Sequence, residues 1–224
     1  PGSIVSSNTS GIPIHSMLEE RSTDFKTHFL GTHFFNPPRY LELLEIIPTP
    51  HTDPTIVDFL MNFGDRHLGK TTVLCKDTPA FIANRVGVGG ILGLFHLVEK
   101  RNLSVETIDK LTGPIIGRPK SATFRTCDVV GLDTLVHVAK GLYDNCETDE
   151  VRDSFKLPTY VQQLFDNKWL GDKTKQGFYK KTKDEKGNKV ILSLNLKSLE
   201  YETQKRVSYA SLSQAKEIED LRKR

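Results

Sequence analysis

The feature that most restricts how this chain can fold is a change of hydrophobic period near residue 79. Upstream of it, short aromatic and β-branched runs alternate with helical stretches; downstream, apolar residues recur at three- and four-residue spacing. Ser3–Ser7, His28–Phe35, Tyr40–Ile47 and a buried-looking Thr71–Lys76 read as strands, and Pro13–Arg21 reads as a short helical turn. Asn36-Pro37-Pro38-Arg39 breaks the second strand from the third. Asp53–Leu68 has a helical period, with Asp53 as cap, Pro54 at the first helical position and a stripe of Ile56, Phe59, Leu60 and Phe63. Past the boundary, Thr78 is expected to cap and Pro79 to start a helix running through Leu97, followed by helices over Val105–Leu111, Val129–Tyr143 and Tyr160–Leu170. The expected fold class is α/β followed by all-α. Residues 1–78 form the first domain, 79–181 a helical second one, and 182–224 short strands around Lys186-Gly187-Asn188 and then a charged linker entering a helix.

Composition narrows the function classes. A hydrophobic fraction of 37% in 224 residues supports a sizeable core, and the net charge of +3 comes from interspersed signs, so no nucleic-acid partner is expected. The longest apolar stretch, Phe81–Val98, contains Asn84, Arg85, His96 and four glycines, too polar for a bilayer span, and no membrane segment is expected. The three cysteines, Cys75, Cys127 and Cys146, are odd in number and widely spaced, which fits neither a disulfide framework nor a zinc site and points to a reduced, cytoplasmic protein. The sequence opens Pro-Gly-Ser-Ile-Val, without Met or a signal pattern, and reads like a cut.

In Tyr40–Ile47 the period of two places Leu41, Leu43, Glu45 and Ile47 on one face and Tyr40, Glu42, Leu44 and Ile46 on the other. A carboxylate in such a strand is costly to bury without a partner, and His33, at the end of the preceding strand, is the nearest candidate. A histidine with a carboxylate is the usual makeup of a general base and its orienting group, because histidine titrates near neutrality. A tight hairpin at Asn36–Arg39 would set His33 opposite Glu42 rather than Glu45, so spacing alone does not choose the acid. The plainer alternative is a hydrogen-bonded core histidine with both acids at sheet edges.

Ser7-Asn8-Thr9-Ser10-Gly11 follows a strand, where α/β sheets present ligand contacts, although the same residues make ordinary turns. Asn84 falls on the helical stripe Phe81, Asn84, Val88, Ile91, Phe95 and needs hydrogen-bond partners, from the backbone or from a ligand. Gly87-Val88-Gly89-Gly90 is not a nucleotide loop, since Leu92 stands at the third glycine position of G-x-G-x-x-G; close helix packing is expected there. The other histidines show no paired-ligand spacing, and no metal is expected.

Six segments in order carry a resemblance: Ser7–Ser10, Gly31-Thr32-His33-Phe34-Phe35-Asn36-Pro37, Leu44–Ile47, Cys75-Lys76-Asp77-Thr78-Pro79-Ala80-Phe81-Ile82-Ala83-Asn84-Arg85, Asp128-Val129-Val130-Gly131-Leu132-Asp133-Thr134, and Lys173-Thr174-Lys175-Gln176-Gly177-Phe178-Tyr179. Together they strongly resemble the 3-hydroxyacyl-CoA dehydrogenase family over about residues 3–181. The resemblance implies the C-terminal part of a Rossmann-type NAD-binding domain followed by the family's helical C-terminal domain. It implies oxidation of a 3-hydroxyacyl-CoA thioester to the 3-ketoacyl form by NAD, a step of fatty-acid β-oxidation. It makes His33 the catalytic base and Glu45 its paired acid, places Ser10 near the substrate hydroxyl and the nicotinamide, gives Asn84 to the substrate and sets Asn36 near the nicotinamide. A glycine-rich pyrophosphate turn and the acidic residue after it are expected to lie before Pro1, so the chain reads as a fragment lacking the dinucleotide-binding front and inactive by itself. Leu194–Arg224 resembles the link in multifunctional β-oxidation proteins, where an enoyl-CoA hydratase region can be covalently attached. A homodimer is expected, since an open edge at Ser3–Ser7 favours association. Two other readings are a β-hydroxyacid dehydrogenase with a Lys base, which the His33 and Glu45 match argues against, and a non-catalytic helical dimerisation module, which would bind neither acyl-CoA nor NAD.

Overall fold

The computed structural model describes residues Pro1–Arg224, which divide into two compact units. The first comprises Pro1–Gly87 with Asp144–Glu147, and the second Val88–Tyr143 with Thr148–Arg224. An α/β unit is followed by a mainly helical one, the order read from the change of period.

The first unit is built on a four-stranded sheet, β1 (Val5–Ser7), β2 (Phe29–Phe34), β3 (Leu43–Ile47) and β4 (Thr71–Leu74), in sequential order. β1 and β2 are parallel, β2 and β3 antiparallel, and β3 and β4 parallel. On one face, Leu30, Leu44 and Ile46 pack with Ile56 and Val57 of α2 (Pro54–His67). The Asp53 side chain caps that helix, accepting from Thr55 N at 2.8 Å. The expected stripe is corrected here: Phe59 and Phe63 are 54% and 37% exposed and stack on each other, because the helix turns its Ile56, Val57 and Gly64 side inward. The other face gathers Ile14, Leu18, Phe29, Ile47, Cys75 and Phe81. Gly31 permits this packing, since a Cβ there would lie 2.8 Å from Ile14 Cδ1 and 3.1 Å from Ile47 Cβ. The short α1 (Thr23–Thr27) leads into β2, capped by Ser22.

Three further expectations in this unit are corrected. The strand read as Tyr40–Ile47 begins only at Leu43, because Tyr40 N and Leu41 N donate to Pro37 O at 3.0 and 3.1 Å and fold the preceding residues into the turn. The strand read as Thr71–Lys76 is shorter and lies at the sheet edge, with Leu74 56% exposed. The long helix, α3 (Ala83–Arg101), starts four residues after the expected Pro79, since Ala80 and Phe81 adopt left-handed φ values of +60° and +52°.

The second unit contains α3 from Val88 onward, α4 (Val105–Leu111), α5 (Phe124–Val130), α6 (Leu132–Asn145), α7 (Thr159–Asp166) and α8 (Ala210–Lys216). The helix read as Val129–Tyr143 is two helices separated at Gly131, and the one read as Tyr160–Leu170 ends at Asp166, with Lys168 in left-handed backbone at φ +59°. Phe95, Phe124, Tyr160 and Phe178 form an aromatic core, Phe95 stacked on Phe124 at 4.8 Å and Phe178 edge-on to Phe124 at 4.6 Å. Beyond it lies an antiparallel sheet of β5 (Tyr179–Lys183), β6 (Lys189–Leu194) and β7 (Tyr201–Thr203), the last falling in what reads as linker. The close packing expected at Gly87–Gly90 is absent at Gly87 and Gly90, where an added Cβ would meet nothing within 4 Å; only Gly89 meets a neighbour, Phe155 at 3.4 Å. No helix is long and apolar enough to cross a membrane.

Candidate active site

The antiparallel register of β2 and β3 pairs His33 with Glu45, not with Glu42. The connection is not a tight hairpin: residues 35–42 form a longer turn that leaves Glu42 exposed and outside the strand. Both members of the pair are buried, His33 3% and Glu45 1% exposed, so the plainer alternative, with both acids at sheet edges, does not describe Glu45.

Glu45 uses both oxygens. Oε2 meets His33 Nδ1 at 2.8 Å, while Oε1 accepts Ile82 N at 3.1 Å and Ala83 N at 2.8 Å. These amides lie at the start of α3, where helical N–H groups lack partners within the helix and favour a negative charge. Burial pushes the Glu45 carboxyl up, but the His33 hydrogen bond, the two amides and the His33 charge outweigh it and hold the group below the ordinary glutamate value. The late start of α3 thus has a consequence for the site, because the left-handed turn at Ala80 and Phe81 delivers those amides to the carboxylate.

An ionised carboxylate can only accept, so His33 Nδ1 carries a proton, and whenever the ring is neutral Nε2 is its acceptor. Nε2 faces Ser10 Oγ at 3.1 Å, which completes a Glu45–His33–Ser10 chain. The rings of Phe35 and Phe81 flank the imidazole at 4.5 and 5.6 Å between centroids. Ser10 lies in the loop after the carboxyl end of β1, and this loop is fastened to β2 by Asn8 Oδ1, which accepts Phe34 N at 2.8 Å. Asn84 Nδ2 donates to Ser10 O at 3.4 Å, so the amide expected from the helical stripe also reaches this loop. Four of the five expected residues, Ser10, His33, Glu45 and Asn84, therefore converge. Asn36 does not join them: its side chain is exposed on the turn beyond β2, where its peptide bond to Pro37 is cis.

Sequence reasoning missed the Ile82 and Ala83 amides, which carry no side-chain signal, and the role of Asn8, which was legible only as part of a turn. It also missed Cys75, packed beside the pair: burial, reinforced by the charge on Glu45, pushes its thiol up to about 12, so it stays neutral. No group of three or more His, Cys, Asp or Glu side chains is placed to hold a metal ion.

Residues 1–78 match the model of the 3-hydroxyacyl-CoA dehydrogenase NAD binding domain, and residues 81–181 match that of the C-terminal domain of the same enzymes. The chain belongs to the 3-hydroxyacyl-CoA dehydrogenase family. Its α/β unit is the Rossmann-type part and its helical unit the C-terminal part of that family's fold, and NAD is the cofactor this family's first domain binds. A Bacillus subtilis protein named "Probable 3-hydroxyacyl-CoA dehydrogenase" is 51% identical over 216 residues, covering 96% of this chain and 27% of the relative. The mitochondrial hydroxyacyl-coenzyme A dehydrogenase of Sus scrofa is 36% identical over 177 residues, covering 79% of this chain and 54% of that enzyme. Among solved structures, the (S)-3-hydroxybutyryl-CoA dehydrogenase of Ralstonia eutropha superposes with a TM-score of 0.68 at 28% identity, over 78% of this chain and 59% of that one. The chain thus spans 27% of the bacterial relative and 54% of the mitochondrial one.

Proposed function

We propose that the protein carrying this chain oxidises 3-hydroxyacyl-CoA thioesters to 3-ketoacyl-CoA with NAD, as a step of fatty-acid β-oxidation. In this reading His33 and Glu45 are catalytic, Ser10 and Asn84 bind substrate, and Ser10 and Asn36 face the cofactor. The observation that supports it most is the Glu45–His33–Ser10 chain, an ionised acid fixing a buried imidazole whose free nitrogen points at a hydroxyl.

The residues fit one side of a dinucleotide site. Ser10 lies past the carboxyl end of β1 and His33 is the penultimate residue of the parallel strand β2, so both stand at the carboxyl side of the sheet, where open α/β sheets take their ligands. The sequence contains no G-x-G-x-x-G, so the turn that would hold a pyrophosphate is not among these residues. When bound, NAD accepts the hydride from C3 of the substrate. The chain's own groups handle the proton. As the C3–H pair departs, the C3 hydroxyl passes its proton to His33 Nε2 and a ketone forms. Glu45 holds the ring through Nδ1 and stabilises the imidazolium, while the Ile82 and Ala83 amides keep the carboxylate in place. Ser10 Oγ and Asn84 Nδ2 are donors to the substrate oxygens, where charge shifts along the reaction.

In the full protein, His33→Ala should lower kcat/KM by about 10²- to 10⁴-fold while leaving acyl-CoA affinity within a few-fold. Rates within a few-fold of wild type would mean that His33 is structural. This chain alone should bind NAD poorly and turn over no substrate despite its catalytic groups; micromolar binding in a calorimetric titration would overturn that division of labour.

The domain division at 1–78, 79–181 and 182–224 is supported by the ranges of the two family matches. A covalently linked enoyl-CoA hydratase region accords with the much greater length of the bacterial relative. Association as a homodimer is supported by the open edge of β1, where Ile4 just before the strand and Val5 at its start are 40% and 41% exposed. Three unpaired cysteines support a cytoplasmic setting.

A further inference from the structure

Ser10 sits in a loop with no regular structure between β1 and Ile14, yet its hydroxyl meets His33 Nε2. Turns inside the loop, such as Ile12 N donating to Thr9 Oγ1 at 3.0 Å, shape it without attaching it to the rest of the unit. Its front is attached by Asn8 to Phe34 N, next to His33 in the chain. Its rear is attached by Asp77. That carboxylate is 9% exposed; Oδ1 accepts Ile14 N at 2.8 Å, and Oδ2 accepts His15 N at 2.8 Å and contacts His15 Nδ1 at 2.6 Å. Ile14 itself is fully buried against Phe29, Ile47, Cys75 and Phe81, so the anchor is sunk in the core.

We propose that Asp77 is a positioning residue that holds Ser10 against His33. The proposal rests on the reading of His33 and Ser10 given above. Asp77 also begins the turn whose far end supplies the Ile82 and Ala83 amides to Glu45 and the Asn84 amide to Ser10 O. One turn, residues 77–84, therefore fastens the loop on one side of the imidazole and the carboxylate on the other. In Asp77→Asn one carboxylate oxygen becomes an amide nitrogen that cannot accept, so either Ile14 N or His15 N loses its acceptor; Ile14 stays buried but the rear of the loop loosens, and the 3.1 Å contact of Ser10 Oγ with Nε2 is no longer enforced.

The test is a double-mutant cycle in the full protein. Asp77→Asn should lower kcat by about 10- to 100-fold, the cost of a displacement of order 1 Å at a reacting centre, with KM for acyl-CoA little changed. In a Ser10→Ala background the same substitution should have almost no further effect, because both act through one hydroxyl. Additive losses, or no loss from Asp77→Asn alone, would overturn the proposal. If Asp77→Asn does not fold, Asp77→Glu, which keeps the charge and moves the acceptor by one methylene, runs the same cycle. A second readout needs no turnover: in ¹⁵N spectra of this chain, Asp77→Asn and Ser10→Ala should shift His33 Nε2 alike while Nδ1 keeps its bond to Glu45. An unmoved Nε2 in Asp77→Asn overturns the positioning role. Wild-type rates in His33→Ala would instead sink the catalytic reading, with the spectra still deciding whether Asp77 holds the serine.

Discussion

Glu45 in the first unit and Asp128 in the second are each 1% exposed, and each takes two consecutive backbone amides, Ile82 and Ala83 in one case, Phe178 and Tyr179 in the other. Their ionisation differs in direction. Burial pushes both up, but Glu45 ends below the ordinary glutamate value, whereas Asp128 is carried from 3.8 up to about 6. The amides are common to both, so they do not decide. What differs is the charge alongside: Glu45 meets His33 at 2.8 Å, while the nearest cation to Asp128, Arg125, is 4.0 Å away and committed at 2.6 Å to Asp172, whose own charge pushes Asp128 further up. One acid is kept charged to hold a ring, and the other is a pin for a turn. The packing around the pin leaves no freedom, since a Cβ on Gly177 would lie 2.1 Å from Asp128 Oδ1.

The comparison is broken most directly at Glu45. In Glu45→Gln the amide oxygen can still accept from Ile82 and Ala83, but the amide nitrogen then faces Nδ1 as a donor. The ring must answer with an unprotonated Nδ1, which puts its proton on Nε2 and removes the acceptor that the proposed base needs. Turnover should fall by about 10²- to 10⁴-fold in the full protein, whereas Glu42→Gln, on the exposed turn, should stay within about two-fold. Equal losses from the two would contradict the assignment.

How much of this the sequence disclosed depends on which interactions have a side-chain signature. His33 and an acid on the next strand were legible, as were Ser10 after a strand and Asn84 on an apolar stripe. Spacing left the choice between Glu42 and Glu45 open and only the family resemblance named Glu45, because register depends on the turn, and Pro37 O gathering Tyr40 N and Leu41 N lengthens that turn beyond a tight hairpin. Thr78-Pro79 has the form of a helix start, but left-handed Ala80 and Phe81 postpone it, and no propensity rule favours that conformation for either residue. The carboxylate that those amides serve is remote in sequence, so the tertiary contact overrode the local signal. The tail differs for a similar reason: Tyr201–Thr203 is a three-residue run inside a charged segment, and becomes a strand only because β6 offers it an edge.

A smaller effect tests whether the two acids differ in the stated direction. Asp128 holds its proton more tightly folded than unfolded, so its contribution to stability is present below about pH 4 and lost as pH rises through about 6, an amount of order 3 kcal/mol for a shift of this size. Glu45, held below its ordinary value, has the opposite sign: its contribution is present above the ordinary glutamate pKa of 4.5 and lost on acidification through the lower folded value. Urea unfolding of wild type, Asp128→Asn and Glu45→Gln across acid to neutral pH isolates each acid together with the groups in contact with it, because titrations remote from the substituted acid cancel in the difference from wild type. The stability of wild type relative to Asp128→Asn should fall with rising pH, and that relative to Glu45→Gln should rise. Slopes of the same sign would show that contact with His33 is not what separates them. A flat difference for Asp128→Asn alone would mean that the Phe178 and Tyr179 amides suffice to offset burial, and would move the explanation from the partner to the backbone.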